Sequence, residues 1–129
     1  MRRRKLSKLA KKKLDPISSY WRNKADRAWG RLVAERDKVC VVCGSDSFCQ
    51  PHHLIANSVH CLRHQVPNGI LLCAWHHKFD PRFSAHRGSA LFGEWLVRSR
   101  PEQVKWLQDH QGDDFPPNYR EAMERLSGE

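Results

Sequence analysis

No stretch of the 129-residue chain comes near the ~18 consecutive apolar residues of a membrane span, so no spanning helix is predicted. No apolar segment follows the basic N-terminal residues either, which argues against a secretory signal. The expectation is a cytoplasmic protein without a membrane partner. Acidic residues are scarce: 14 Asp or Glu stand against 23 Lys or Arg, for a formal net charge of +9. Between residues 2 and 13 acids are missing altogether, while eight Lys or Arg are present. Such a run binds anions, and nucleic acid is the commonest large one. A solvating tail or an address signal has the same composition, and one sequence does not separate the three. The cysteines number five, too odd a set for a full disulfide framework, and histidines crowd among them. Metal binding or free thiols fit that pattern better than disulfides.

Internal repeats are absent. One domain is predicted over residues 16–129, with a flexible basic tail over 1–15, where no apolar pattern would hold the chain. From Ser18 to Arg36 the pattern is helical: Trp21, Ala25, Ala28, Trp29, Leu32 and Val33 form one apolar stripe. Arg27 and Arg31 lie off that stripe, where they can touch phosphates. With them, Arg2, Arg3, Arg4, Lys5, Lys11, Lys12 and Lys13 are the candidate DNA contacts. Gln50–Ile55 reads as a first strand and Ile70–Leu72, after the turn pair Asn68-Gly69, as a second. A helix should start near Cys73 and end by Asp80, because Pro81 follows. Helices are also predicted over Ser89–Arg98, from Pro101 up to Gly112, and over residues 116–127.

The informative stretch is 40–80. It holds Cys40-x-x-Cys43, His52-His53, Asn68, and Cys73-x-x-His76-His77. Cys40, Cys43, Cys73 and His76 have the count and paired spacing of a closed zinc site. Zinc of this kind contributes ~10–16 kcal/mol of apparent binding free energy, a large help to a chain with a small core. Cys73 with His77, at i and i+4, would share a helix face equally well, and spacing does not decide between them. His52, His53 and Asn68 have no part in such a staple. Cys49 and Cys61 fit neither set, and His60, His64, His86 and His110 read as ordinary surface or core histidines.

These pieces in this order resemble the HNH endonucleases, in particular the small, often phage-borne members that carry an extra zinc. That family's pattern is C-x-x-C-G, a residue pair ending in His, then Asn, then L-C-x-x-C-H. Here it reads Cys40-Val-Val-Cys43-Gly44, His52-His53, Asn68, and Leu72-Cys73-Ala74-Trp75-His76-His77. His76 stands where the pattern has cysteine, and imidazole is an ordinary zinc ligand. The resemblance implies an α+β fold: a small ββα-metal core, stapled by structural Zn²⁺ and flanked by an N-terminal helix and C-terminal helices. It assigns His76 to zinc and the following His77 to a catalytic ion.

By the same resemblance His53 is a general base, His52 and His77 hold the ion, and Asn68 bonds across the connection to fix the base's surroundings. The implied activity is metal-dependent hydrolysis of DNA phosphodiesters, by nicking or double-strand cleavage. Phage recombination or packaging proteins are the implied protein partners. Two imidazoles suit Mn²⁺ or Ni²⁺ better than Mg²⁺, unless a carboxylate such as Asp80 joins them. The alternative is a zinc-stabilised nucleic-acid-binding module without catalysis, which would not need His53. One physical tension remains in the sequence: consecutive strand residues face opposite sides, so His52 and His53 meet one substrate only where the strand ends.

Overall fold

The apolar stripe from Trp21 to Val33 forms helix α2 (Ser19–Asp37), with Ser18 at its N-cap and Ala25, Ala28, Trp29 and Val33 buried. In a computed structural model, which describes residues 3–128, this helix packs on a two-stranded antiparallel sheet. The strands are β1 (Cys49–His53) and β2 (Gly69–Cys73), paired from Cys49 opposite Cys73 to His53 opposite Gly69. The architecture is a small mixed α+β one, completed by α3 (Ser89–Ser99), α4 (Pro101–His110) and α5 (Tyr119–Ser127). No helix among the described residues is long and apolar enough to cross a membrane.

Strand β2 is buried at all five positions because it is covered on both faces. Leu71 joins Ala25, Ala28, Trp29, Val33 and Leu126 in a core under α2 and α5. Ile70 and Leu72 join Cys40, Cys73, Phe92 and Leu96 in a second core toward α3 and α4. A strand buried on both faces loses polar alternation and reads as an apolar run, as Ile70-Leu71-Leu72 does. Asp37, at the end of α2, ties the layers together. Its carboxylate accepts from the Leu71 amide at 3.0 Å, from Arg36 at 2.9 Å and from Arg100 at 3.2 Å.

Three sequence expectations are corrected. The segment read as a flexible tail contains helix α1 (Lys8–Leu14), with Ser7 at its N-cap accepting from the Ala10 amide. None of its residues is buried. It is held by hydrogen bonds instead: Trp21 Nε1 donates to the Lys13 carbonyl at 2.9 Å and Ser18 Oγ to that of Lys12 at 2.6 Å. Strand β1 stops at His53 rather than Ile55, because the pairing partner runs out at Gly69, beyond which Asn68 and Pro67 turn away in a 3₁₀ turn. The helix expected after Cys73 is a single wide π turn over Trp75–Phe79, closed by the Asp80 amide on the Trp75 carbonyl at 2.9 Å.

Candidate metal centre and cleft

Cys40 and Cys43 lie on a knuckle whose backbone bonds run from Gly44 N to Cys40 O and from Cys40 N to Ser45 O, both 2.8 Å. Gly44 takes φ +77 there, a conformation that glycine adopts without steric cost. The end of β2 and the start of the π turn bring Cys73 and His76 to the same place, and the four ligand atoms lie within 4.8 Å of one another. Cys43 Sγ is 3.8 Å from Cys73 Sγ, and His76 Nδ1 is 3.3 Å from Cys73 Sγ and 3.8 Å from Cys40 Sγ. Tetrahedral zinc with Zn–S near 2.3 Å and Zn–N near 2.0–2.1 Å has edges of about 3.8 Å between sulfurs and about 3.5 Å from sulfur to nitrogen. The group therefore fits a zinc ion in size, number and chemistry. Charge points the same way. Burial disfavours the Cys40 thiolate, but the amides of Cys73, Cys43 and Val42 outweigh it and lower the pKa. At Cys43 the Ser45 amide favours ionisation, yet desolvation and the neighbouring Cys40 and Cys73 push the thiol up to about 11. Thiols that oppose each other's ionisation are what a shared cation relieves.

The next residue turns the other way. His77 is buried and meets His52 of β1 and His86, and these three rings also form a group that could hold a metal ion. The His52 ring centroid is 5.0 Å from those of His77 and His86, and His77 Nε2 is 3.1 Å from His86 Nε2. His86 is the member of this group that sequence reading missed. It arrives because the chain after Pro81 folds back on the π turn, with the Ala85 amide on the His76 carbonyl and the His86 amide on that of His77. Gly88 permits this return: a Cβ there would collide with the backbone of Arg82 and Phe83. Asp80 stays out, its Oδ1 accepting from the Arg82 amide at 2.9 Å. Burial, and then the neighbouring His77 and His86, lower the His52 pKa to about 3. Burial, followed by His86 and Lys78, lowers that of His77 to about 4. Both rings are neutral near pH 7, the form that binds metal.

His53 faces the opposite side of β1. Its ring stacks on Trp29, and Nε2 lies 2.9 Å from the Arg63 carbonyl. A carbonyl can only accept, so Nε2 carries the hydrogen and Nδ1 keeps its lone pair. Burial lowers the His53 pKa, partly offset by that carbonyl. Because β1 ends here, His52 and His53 both line one open cleft of about 450 Å³, together with Asn57, His77 and His86.

Behind the cleft, Asn68 is fully buried. Its Oδ1 accepts from the Ile55 amide at 2.7 Å, and its Nδ2 donates to the carbonyls of Ile55 and Leu62, both at 3.1 Å. It thereby clips shut the connection whose next residue, Arg63, holds His53. The Arg63 side chain is itself fixed by Asp26, at 2.8 and 2.9 Å, and Asp26 also meets buried His64 at 2.6 Å. Burial opposes ionisation of Asp26, but the bonds from His64 and Arg63 prevail and hold its carboxyl well below the usual range.

The remaining candidates scatter over the surface. Arg3, Arg4, Lys5, Lys11, Lys12, Lys13, Arg27 and Arg31 are exposed, and Arg31 pairs with Glu35 at 3.9 Å. Arg2 lies outside the described residues. Cys49 and Cys61 take no part in either cluster; their thiols donate to the carbonyls of Ser45 and Asp113. His60 meets the Tyr119 hydroxyl and His110 meets Asp113. No protein-family model matches the chain, and no curated protein and no solved structure matches it either.

Proposed function

We propose that the chain is a metal-dependent DNA endonuclease of the HNH, ββα-metal type, which hydrolyses phosphodiester bonds in the cleft between β1 and the π turn. One observation carries the reading. Three imidazoles converge on a cleft that also contains His53, a histidine with one nitrogen tied to a carbonyl and the other left basic. A binding module stabilised by zinc alone would use Cys40, Cys43, Cys73 and His76 and would have no need of this second group. The residue chemistry then divides as follows. His53 Nδ1 takes a proton from a water molecule as its oxygen attacks phosphorus, and the bond from phosphorus to the departing sugar oxygen breaks. Trp29 and the Arg63 carbonyl hold the ring in place, and Asn68 holds the loop that supplies that carbonyl. His52, His77 and His86 would hold a Mg²⁺, Mn²⁺ or Ni²⁺ ion, whose contribution is to stabilise charge on the phosphate and departing oxygens. Imidazole ligands favour Mn²⁺ and Ni²⁺ over Mg²⁺. The basic residues of 3–13 supply phosphate contacts without base readout.

The test is nicking of supercoiled plasmid with each of the three ions. His53→Ala should abolish nicking while DNA affinity and bound metal persist, since the change removes a proton acceptor and no ligand. Undiminished nicking by His53→Ala overturns the mechanism. DNA binding without nicking under any of the ions would favour the non-catalytic module.

A further inference from the structure

Sharing His77 with the cleft is a second groove, about 470 Å³, lined by Phe48, Gln50, His77, Lys78 and Phe79 among others. Phe48 is 86% exposed and Phe79 55% exposed, so two aromatic side chains stand in water beside a cationic one. Neither contributes to either hydrophobic core. Phe48 also has φ +53, a left-handed conformation that a bulky side chain rarely adopts. Strain of this kind persists where the surrounding structure imposes it, and such residues cluster at functional sites. Core packing does not account for an exposed ring held in a strained backbone.

We infer that this groove receives an unstacked nucleobase of the DNA strand held in the cleft, stacked against Phe48 or Phe79. The inference rests on the endonuclease reading and narrows its substrate to DNA with unpaired or easily unpaired bases. Continuity decides the occupant. His77 lines both the groove and the cleft, so a strand whose phosphate lies at the histidine cluster runs directly past the aromatic pair. Lys78, at the groove wall, offers its ammonium to the backbone of the same strand. Phe48 immediately precedes β1, in which Cys49 to His52 covers about 10 Å at ~3.3 Å per residue. Nucleotides stacked at ~3.4 Å each span that distance in about three steps, so the base in question is close to the cleaved bond. Paired and stacked bases present edges rather than faces to such rings; a base swung out of the stack presents its π face.

The experiment compares Mn²⁺-dependent cleavage of two duplexes of one sequence, one fully paired and one carrying a short unpaired bulge. The unaltered protein should prefer the bulged duplex. Whichever of Phe48→Ala and Phe79→Ala removes the stacking ring should lower that preference by roughly tenfold, the size of one lost base–aromatic stack, and Phe48→Trp should retain it. Folding of each variant is checked by thermal unfolding, which these exposed positions should pass. Equal cleavage of the two duplexes by the unaltered protein, or an unchanged preference in both alanine variants, overturns the inference. Sedimentation adds a further arm: if Phe48→Ala turns a dimer into a monomer with the preference intact, the groove joins two copies of the chain and the inference falls. Failure to cut or bind either duplex overturns the endonuclease reading itself, a result distinct from cutting without preference.

Discussion

The rings of His53 and Trp29 lie face to face, with centroids 3.9 Å apart and planes within 7° of parallel. Trp29 is fixed in turn by its Nε1, which donates to the Gln65 carbonyl at 2.8 Å. The space for its indole comes from Gly69, the residue opposite His53 across the sheet. A Cβ on Gly69 would lie 2.5 Å from Val33 Cγ2 and 2.6 Å from Trp29 Cζ2. Gly69→Ala should therefore cost about 1–3 kcal/mol of stability through overpacking and displace the indole from under His53. Denaturant unfolding with nicking assays should show a loss of activity larger than the unfolded fraction explains. Full activity in a folded Gly69→Ala protein would remove Trp29 from the positioning of His53.

The two metal groups should separate by mutation. His76→Ala should lose zinc and much of the fold, since it removes one of four closed ligands. His77→Ala and His86→Ala should keep zinc and bind Mn²⁺ or Ni²⁺ tenfold or more weakly, a loss no smaller than that expected from an outer-shell change. Elemental analysis and titration with Ni²⁺ read both quantities in the same samples. Loss of zinc from His77→Ala would instead favour the pairing of Cys73 with His77.

Much of this was legible in the sequence, for reasons that differ by element. The stripe of α2 and the apolar run of β2 were readable because burial repeats with their geometric periods. The four-ligand group was readable because each half is local, Cys40 with Cys43 and Cys73 with the pair His76-His77, although spacing left His76 and His77 open and the resemblance chose His76. His86 was not, because its approach depends on two backbone bonds to the carbonyls of His76 and His77, and no period or spacing encodes those. The π turn was hidden for a related cause, since Pro81 predicts where a helix stops and not how wide its last turn is. Helix α1 was misread by looking only for burial; the signal present was Ser7, an N-cap residue ahead of Lys8-Leu9-Ala10.

Acid should destabilise the zinc-loaded protein, with no ion at His52, His77 and His86, through the histidine cluster. An unperturbed histidine titrates near 6.5, whereas His52 and His77 in the fold titrate at about 3 and about 4. Between those values the unfolded chain binds protons that the folded chain does not, so stability is full above pH ~6.5 and falls as pH drops toward 4. Urea midpoints measured across pH 7.5 to 4 should decline, and His52→Gln should flatten the decline. A flat profile for the unaltered zinc-loaded protein would mean that these rings are not buried. Because burial also lowers the His53 pKa, the acid limb of nicking attributable to His53 should lie below 6.5.

Replacing Lys11, Lys12 and Lys13 with Gln keeps good helix formers in α1 and removes three exposed charges. If all three neutralise phosphates, the slope of log K against log salt should shrink by about 0.9 for each, up to ~2.7. Fluorescence anisotropy with duplex DNA over a salt series measures this directly. An unchanged slope would place α1 away from the nucleic acid.

His76 and His77 are consecutive residues, one facing the thiols and the other facing the cleft. A single peptide bond is thus the hinge pin between a cluster that suits a structural metal and one that borders the proposed chemistry. Under the proposed activity the arrangement would make competence a matter of history. On the proposed reading an ion at His52, His77 and His86 would exchange throughout the protein's lifetime, whereas closure of the thiol group would set the position of His77 once. Zinc supply and thiol reduction during synthesis would then fix how many molecules can ever become active. An oxidant that reaches exposed Cys43 would silence the cleft without entering it.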